Sequence, residues 1–346
     1  MNKLFSPFRL KGLELKNRVV MSPMCQYSVT KEDGTPNDWH FQHYVSRAVG
    51  GAGLILLEMT DVDPDGRITN GDLGIWSDEH VETYAKLVEA VHQHGAKIGI
   101  QIAHAGRKAE DAEEPVAPSA IPFGENFKTP RALETEEVIE MVEKFRLGIR
   151  RAVQAGFDVI ELHGAHGYLI HQFLSPFTNH RTDEYGEDRT KFGKEIIAAA
   201  KEEMPEDMPL FMRISAVEYA EGGYGIEESL AFAKVFKEAG VDLFDVSTGG
   251  EAALPREKRP YTYDGYQVPY ARRIKHEVDV PVAAVGRLSD PILAHATVAN
   301  GDADLICIGR GFLNNPYWAL HAARQLKQEI DVPKQYHLAF RELLAT

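Results

Sequence analysis

The chain has 346 residues, 44% hydrophobic and 26% charged, an ordinary globular composition with enough apolar residues for a sizeable core. Its net charge of −14 argues against a nucleic-acid surface, where Lys and Arg neutralise phosphates, but allows a phosphate-bearing cofactor held by local arginines. Cys25 and Cys307, the only cysteines, are too few for a structural zinc, an iron–sulfur cluster or a disulfide framework. No apolar run is long enough for a signal segment or a membrane span, so a cytoplasmic location is expected.

In chain order, strands are predicted at 18–21, 53–58, 97–101, 158–162, 209–214, 242–246, 281–285 and 304–308. Helical patterns lie between them, at 80–94, 135–155, 226–239 and 289–299 among others. HQHGAKIGIQ (92–101), QAGFDVIEL (154–162), EAGVDLFDV (238–246) and ANGDADLICIG (299–309) share one grammar. A helix ends at Gly, a short polar step follows, and a β-branched run then reads as a strand buried on both faces. Eight such strands with about eight helices fit a (β/α)8 TIM barrel better than a doubly wound sheet. No G-x-G-x-x-G follows the first strand and no phosphate-binding G-x-x-x-x-G-K-[ST] occurs anywhere. The alternation runs throughout, so residues 1–346 are expected to form a single domain. Its long βα loops follow strand 3 (103–134) and strand 6 (248–265), where barrels build active sites.

The unusual polar residues gather at the predicted strand ends. The first strand ends in Ser22-Pro23-Met24-Cys25 with Tyr27; the third delivers Gln101, His104 and Arg107; the fourth, His163, His166 and Tyr168. Arg213 ends the fifth, Ser247-Thr248-Gly249-Gly250 the sixth, Gly286-Arg287 the seventh and Gly309-Arg310 the eighth. Such a mouth, rich in donors and poor in negative charge, suits an anionic, planar, hydrogen-bond-accepting ligand. The Gly-Arg pairs after strands 7 and 8 stand where many barrels bind phosphate, although each could simply turn the chain and solvate its Arg.

H-G-A-H-G-Y (163–168) has three readings. Two histidines could ligate zinc, but that needs a third and fourth ligand, and Cys25 is the only obvious soft candidate. They could be satisfied structural imidazoles. Or they could clamp a carbonyl oxygen, with Tyr168 as proton donor above it. Cys25 reads as a small buried hydrophobe or as a nucleophile, and Cys307, inside an apolar strand, as core.

Five markers in order, MSPMCQY (21–27), GRITNGDLGIW (66–76), IQIAHAGRKAE (100–110), ELHGAHGYLIHQFLSPFTNHRTDEYG (161–186) and VGR…IGR, resemble the old yellow enzyme family of FMN-dependent ene-reductases, in particular its thermophilic-like branch. The likeness covers nearly the whole chain. It implies FMN across the barrel mouth, flanked by Ser22, Pro23, Met24 and Cys25, with Gln101 on the pyrimidine edge and Arg213 beside it as a fixed charge. Gly286, Arg287, Gly309 and Arg310 would hold the phosphate, with Met59, His163, Gly249 and Gly250 also at the cofactor. No metal is implied. Cys25 would tune the flavin without bonding to it, and Tyr27 would position the substrate.

The resemblance further implies that NADPH, or NADH, reduces the flavin, which passes hydride to the β-carbon of an activated alkene such as an enone, enal, nitroalkene or maleimide. His163 and His166 would bind the electron-withdrawing oxygen while Tyr168 protonates the α-carbon. No residue in the sequence settles NADPH against NADH. A homo-oligomer, dimer or tetramer, is expected, with residues 330–346 at a subunit interface.

Three features depart from the family pattern. DEYGEDRTKF (183–192) is shortened before the fourth helix, Met59 is bulky where strand 2 ends, and Arg341 is displaced from where relatives reach into a neighbouring site. Three rivals remain. A dienoyl-CoA-type reductase would need more cysteines and further domains. A zinc hydrolase using His163 and His166 would be colourless, and a flavin-binding sensor would be coloured without turnover.

Overall fold

A computed structural model describes residues 3–343. Eight parallel strands close on themselves: β1 (Val19–Met21), β2 (Leu54–Asp61), β3 (Lys97–Ala103), β4 (Val159–Gly164), β5 (Leu210–Ser215), β6 (Leu243–Ser247), β7 (Val282–Ala284) and β8 (Leu305–Ile308). Each pairs with its neighbours in sequence, and β8 returns to β1 through Ile308 opposite Met21. The outer ring is α1 (Asp38–Val49), α2 (His80–His92), α3 (Thr135–Gln154), α4 (Lys191–Glu203), α5 (Ile226–Ala239), α6 (Val268–Val278), α7 (Pro291–Ala299) and α8 (Trp318–Gln325). This is the (β/α)8 barrel expected, with its long loops after β3 and β6.

Strand alternation divides the apolar residues into two shells. Ile98, Ile100, Ile160 and Leu162 point outward, into a layer completed by Tyr84, Phe145 and Phe192 from the helices. α3 shows why the helices pack there: Val138, Met141, Phe145, Ile149 and Ala152 recur every three or four residues and are buried, while Glu136 and Glu137 favour its first turn. The inner shell holds Val20, Leu54, Leu56, Val159, Phe211, Leu243, Ala283, Leu305 and Cys307. Cys307 is thus core, as read.

The sequence reading did not contain the hairpin that plugs this inner shell from below. Phe8–Leu10 pairs with Leu13–Leu15 across a Lys11-Gly12 turn, burying Phe8, Leu13 and Leu15 against the barrel interior. Its runs are only three residues long, too short for a period to register.

Strand 2 also differs from expectation. It continues to Asp61, so Met59 lies within it, and the pairing with β3 shifts register between Leu57 and Met59. The bulge reverses the alternation. Met59 turns toward the mouth, and Glu58 turns outward to accept from the Tyr44 hydroxyl of α1 at 2.7 Å. The shortened segment before α4 is a compact turn: the Asp183 side chain caps Glu184–Glu187, and Arg181 pairs with Asp183.

Near the C-terminus, Val332, Phe340 and Leu343 pack on Leu320 and Ala323 of α8. Arg341 is exposed, and residues 344–346 of the expected interface segment lie outside the described residues.

The two long loops are locked together from inside. Arg107, after β3, is 1% exposed, and its Nη2 lies 2.9 Å from Oε1 of Glu251, after β6, which is 0% exposed. Truncating one member of such a pair strands the other's charge. Arg107→Ala is expected to cost about 3–5 kcal/mol in denaturant unfolding, and an Arg107→Met/Glu251→Met double variant to recover most of it. A loss below about 1 kcal/mol, the scale of a solvent-exposed pair, would show that the pair does not lock the loops.

Candidate active site

At the C-terminal ends of the strands a cavity of about 720 Å³ opens, within the size range of small-molecule sites. Ser22, Pro23, Met24, Cys25, Met59, Gln101, His163, His166, Tyr168, Arg213, Gly286, Arg287, Gly309 and Arg310 all line it. The barrel therefore gathers fourteen of the seventeen residues expected to hold cofactor or act on substrate, contributed by seven of its strands, around one space.

Tyr27, Gly249 and Gly250 are the three that do not line it. Tyr27 is half exposed, with a left-handed backbone (φ 51°), and its side chain hydrogen-bonds with Cys25 beside the cavity. Gly249 and Gly250 line a neighbouring cleft instead. The reason is steric: a Cβ on Gly250 would stand 2.4 Å from the His166 Cα, and one on Gly167 would stand 2.4 Å from the Gly250 carbonyl. The two glycines let the β4 and β6 loops touch, which holds His166 at φ 59°.

The histidines are close, with ring centroids 5.2 Å apart, and the His163 ring meets the Tyr168 ring edge-on at 4.8 Å. Burial, reinforced by the Arg213 charge, pushes both imidazoles well below their usual range, so each is neutral. His163 Nδ1 accepts from the Ala165 N–H at 3.3 Å, which places its single proton on Nε2. His166 Nε2 is 2.8 Å from the Ser247 hydroxyl; when Ser247 donates, His166 carries its proton on Nδ1. Burial likewise raises the Tyr168 phenol and the Cys25 thiol well above their usual ranges, so both stay protonated. A protonated thiol is a poor nucleophile. The zinc reading fails on ligands: among the described residues, the one cluster of three potential metal-ligating groups is His171, Glu218 and Glu251, which includes neither His163 nor His166.

The floor is less electropositive than expected. Arg213 Nε has no hydrogen-bond partner and lies 3.3 Å from Asp245 Oδ2, and Gln101 donates to Glu161 Oε1 at 2.8 Å. Burial, with repulsion from Asp245, lifts Glu161 to about 8, and burial raises Asp245. Arg107, expected at the mouth, turns away to Glu251, and buried His104 lines a separate acidic cleft. Sequence reasoning missed these carboxylates and Glu58. The available signal was a lone acid inside an apolar strand run, LILLEMT, VIELH and LFDVS.

The donor set fits FMN. Arg213 and Gln101 offer a cation and an amide at the floor for a flavin pyrimidine. Arg287 and Arg310 line the same space beside two glycines, at one of which a Cβ would come within 3.0 Å of Gln267. Arg287 pairs with Asp264 at 2.8 Å, whereas Arg310 makes no ion pair among the described residues, which leaves it for a phosphate.

Residues 3–329 match the model of the NADH:flavin oxidoreductase / NADH oxidase family. The chain belongs to that family. It is a flavin oxidoreductase of the old yellow enzyme type, with FMN as cofactor and NADPH or NADH as reductant. A curated NADPH dehydrogenase of Bacillus subtilis (strain 168) is 51% identical over 96% of this chain and 98% of its own. Among solved structures, morphinone reductase is 28% identical, covers 100% of this chain and 94% of its own, and superposes with a TM-score of 0.76. A 2-naphthoyl-CoA reductase, also 28% identical, reaches 0.86 over 93% of this chain, which spans only 52% of that longer protein.

The flavin oxidoreductase also anchors its first-strand loop on Glu58, which accepts from the Gln26 N–H at 2.6 Å. Burial lifts this carboxyl to about 8 from 4.5. A folded-state value raised above the unfolded one gives stability that is complete below 4.5 and is lost as pH rises through about 8. Denaturant stability should therefore fall across that window by at most about 1.4 kcal/mol per pH unit from this group. Glu58→Gln should flatten the decline, and an unchanged slope would contradict the assignment.

Proposed function

We propose that this flavin oxidoreductase reduces activated alkenes, namely enones, enals, nitroalkenes and maleimides, with NADPH as the usual reductant. The observation that carries the reading is the juxtaposition of two neutral imidazoles and a protonated phenol at one cavity. When bound, FMN supplies the two-electron relay that accepts hydride from the nicotinamide and returns it to the second substrate.

His163 and His166, neutral and each carrying one N–H, bind the oxygen of the electron-withdrawing group. Their hydrogen bonds strengthen as negative charge develops there, which lowers the barrier to hydride arrival at the β-carbon. Tyr168 holds its proton until the α-carbon takes it up, since burial disfavours a free phenolate. Arg213 fixes positive charge at the floor for the reduced cofactor, and Gln101 orients its polar edge. Arg287 and Arg310, with Gly286 and Gly309, hold the phosphate. Cys25 stays a neutral sulfur against the ring, and Tyr27 positions substrate at the rim. The relatives called NADPH dehydrogenase support the choice of nucleotide. The same reading places the enzyme in the cytoplasm as a homo-oligomer.

Separate stopped-flow measurements of the two half-reactions test the assignment. Tyr168→Phe is expected to slow reoxidation by cyclohexenone about a hundredfold or more, the usual range for a lost general acid, while reduction by NADPH stays within a small factor of wild type. An equal fall in both half-reactions would remove Tyr168 as proton donor.

A further inference from the structure

Beside the mouth lies a second cleft of about 600 Å³, which shares Thr248 and Tyr266 with the main cavity. Phe123 and Tyr219 contribute aromatic surface to it, and Arg259 enters its lining from the β6 loop. That loop carries Pro-Arg-Glu-Lys-Arg-Pro at 255–260, with one tight helical turn over Arg256–Lys258.

The charge state of this segment is unusual for the molecule. The chain has 52 acidic against 38 basic residues, and its arginines are mostly committed: Arg131, Arg146 and Arg273 each pair with two carboxylates, and Arg150 pairs with Glu203. Arg256, Lys258 and Arg259 are exposed and make no ion pair among the described residues. The one side-chain hydrogen bond among the three is Arg259 Nε to the Leu254 carbonyl, at 3.1 Å. Nearby, Tyr261 (86% exposed) stacks loosely on Tyr263, with ring centroids 6.5 Å apart. Unpaired cations and bare aromatic faces at the edge of a functional opening, on an otherwise acidic protein, focus an attractive field on an anionic, planar ligand.

We propose that Arg256, Lys258 and Arg259, with the cleft behind them, bind the 2′-phosphorylated ADP half of NADPH. This rests on the reading above that a reduced nicotinamide nucleotide enters the neighbouring mouth. Because the cleft opens off the same cavity, a nicotinamide at the mouth can extend its dinucleotide along Thr248 and Tyr266. The adenine lies against Phe123 and Tyr219. The ribose 2′-phosphate, a dianion in its usual state, meets guanidinium groups suited to bidentate phosphate contact. NADH lacks that phosphate and gains nothing from the arm, so the loop sets nucleotide preference. The chemistry required, an adenosine diphosphate with an extra ribose monoester, is shared by the 3′-phosphorylated ADP of coenzyme A thioesters. The two sources differ in which ribose oxygen carries the phosphate.

The test is calorimetric titration of the FMN-loaded enzyme with 2′,5′-ADP, 3′,5′-ADP and 5′-AMP, repeated on an Arg256→Ala/Arg259→Ala variant. In parallel, kcat/KM for flavin reduction is measured with NADPH and with NADH. The 2′,5′-ADP is expected to bind tightest, the variant to weaken it at least about tenfold, and the NADPH-over-NADH selectivity to fall by a similar factor. Equal affinity with and without the 2′-phosphate, or unchanged selectivity in the variant, would overturn the proposal. Tighter binding of 3′,5′-ADP would overturn it in favour of a coenzyme A ligand. Failure of the underlying function would look different: the wild-type flavin would stay oxidised with both nucleotides, and the arm's role would fall with it.

Discussion

Four buried charged or ionisable side chains hold the catalytic end of this barrel in shape. Arg107 pairs with Glu251, and His171 lies between Glu251 and Glu218, 3.2 Å from one carboxylate and 3.1 Å from the other. These residues come from the segments after β3, β4, β5 and β6, so one network binds four consecutive loops. Ser175 and the Tyr224 N–H complete it by donating to Glu218, and the Gly167 N–H donates to His171 Nδ1. That last bond reaches the turn carrying His166 and Tyr168. A cluster of this kind is costly to desolvate and contributes little net stability against an apolar substitute. What it provides is a fixed geometry for loops whose backbone would otherwise have many alternatives.

The same logic sets the electrostatics of the cavity floor. Arg213 does not stand alone: Asp245 and Glu161 lie beside it, inside the barrel, with their carboxyl groups raised by burial. The cation is thus partly compensated while the site is open, and the two histidines above stay neutral next to it. Neutral imidazoles donate hydrogen bonds without presenting a full charge, which suits an oxygen that becomes negative only as the reaction proceeds. The protonated phenol of Tyr168 follows from the same dry surroundings.

Much of this was legible in the residues. Gly followed by a β-branched run announced four of the strands after a helix, and the strand ends then announced the site, because a barrel's C-terminal face collects them. Gly286-Arg287 and Gly309-Arg310 could be placed at one cavity from that rule alone. Other features depend on tertiary contacts that no periodicity encodes. The β2 bulge sets Met59 toward the mouth, as the resemblance implied, and turns Glu58 outward, a register shift that no sequence period encodes. Gly250 read as a ligand contact, yet its bareness serves the approach of one loop to another. Arg107 read as a donor at the mouth because its buried partner, Glu251, lies 144 residues away in the chain. Long-range pairing is what a single sequence hides.

The central claim is that one cavity supports both a nicotinamide and an activated alkene in turn, through a bound flavin. The most direct measurement is the visible spectrum of the purified protein, followed anaerobically through addition of NADPH and then cyclohexenone. The account predicts a flavin spectrum that bleaches with the nucleotide and returns with the enone. A colourless protein that does not take up FMN, or a bleached one that the enone leaves unchanged, would contradict it.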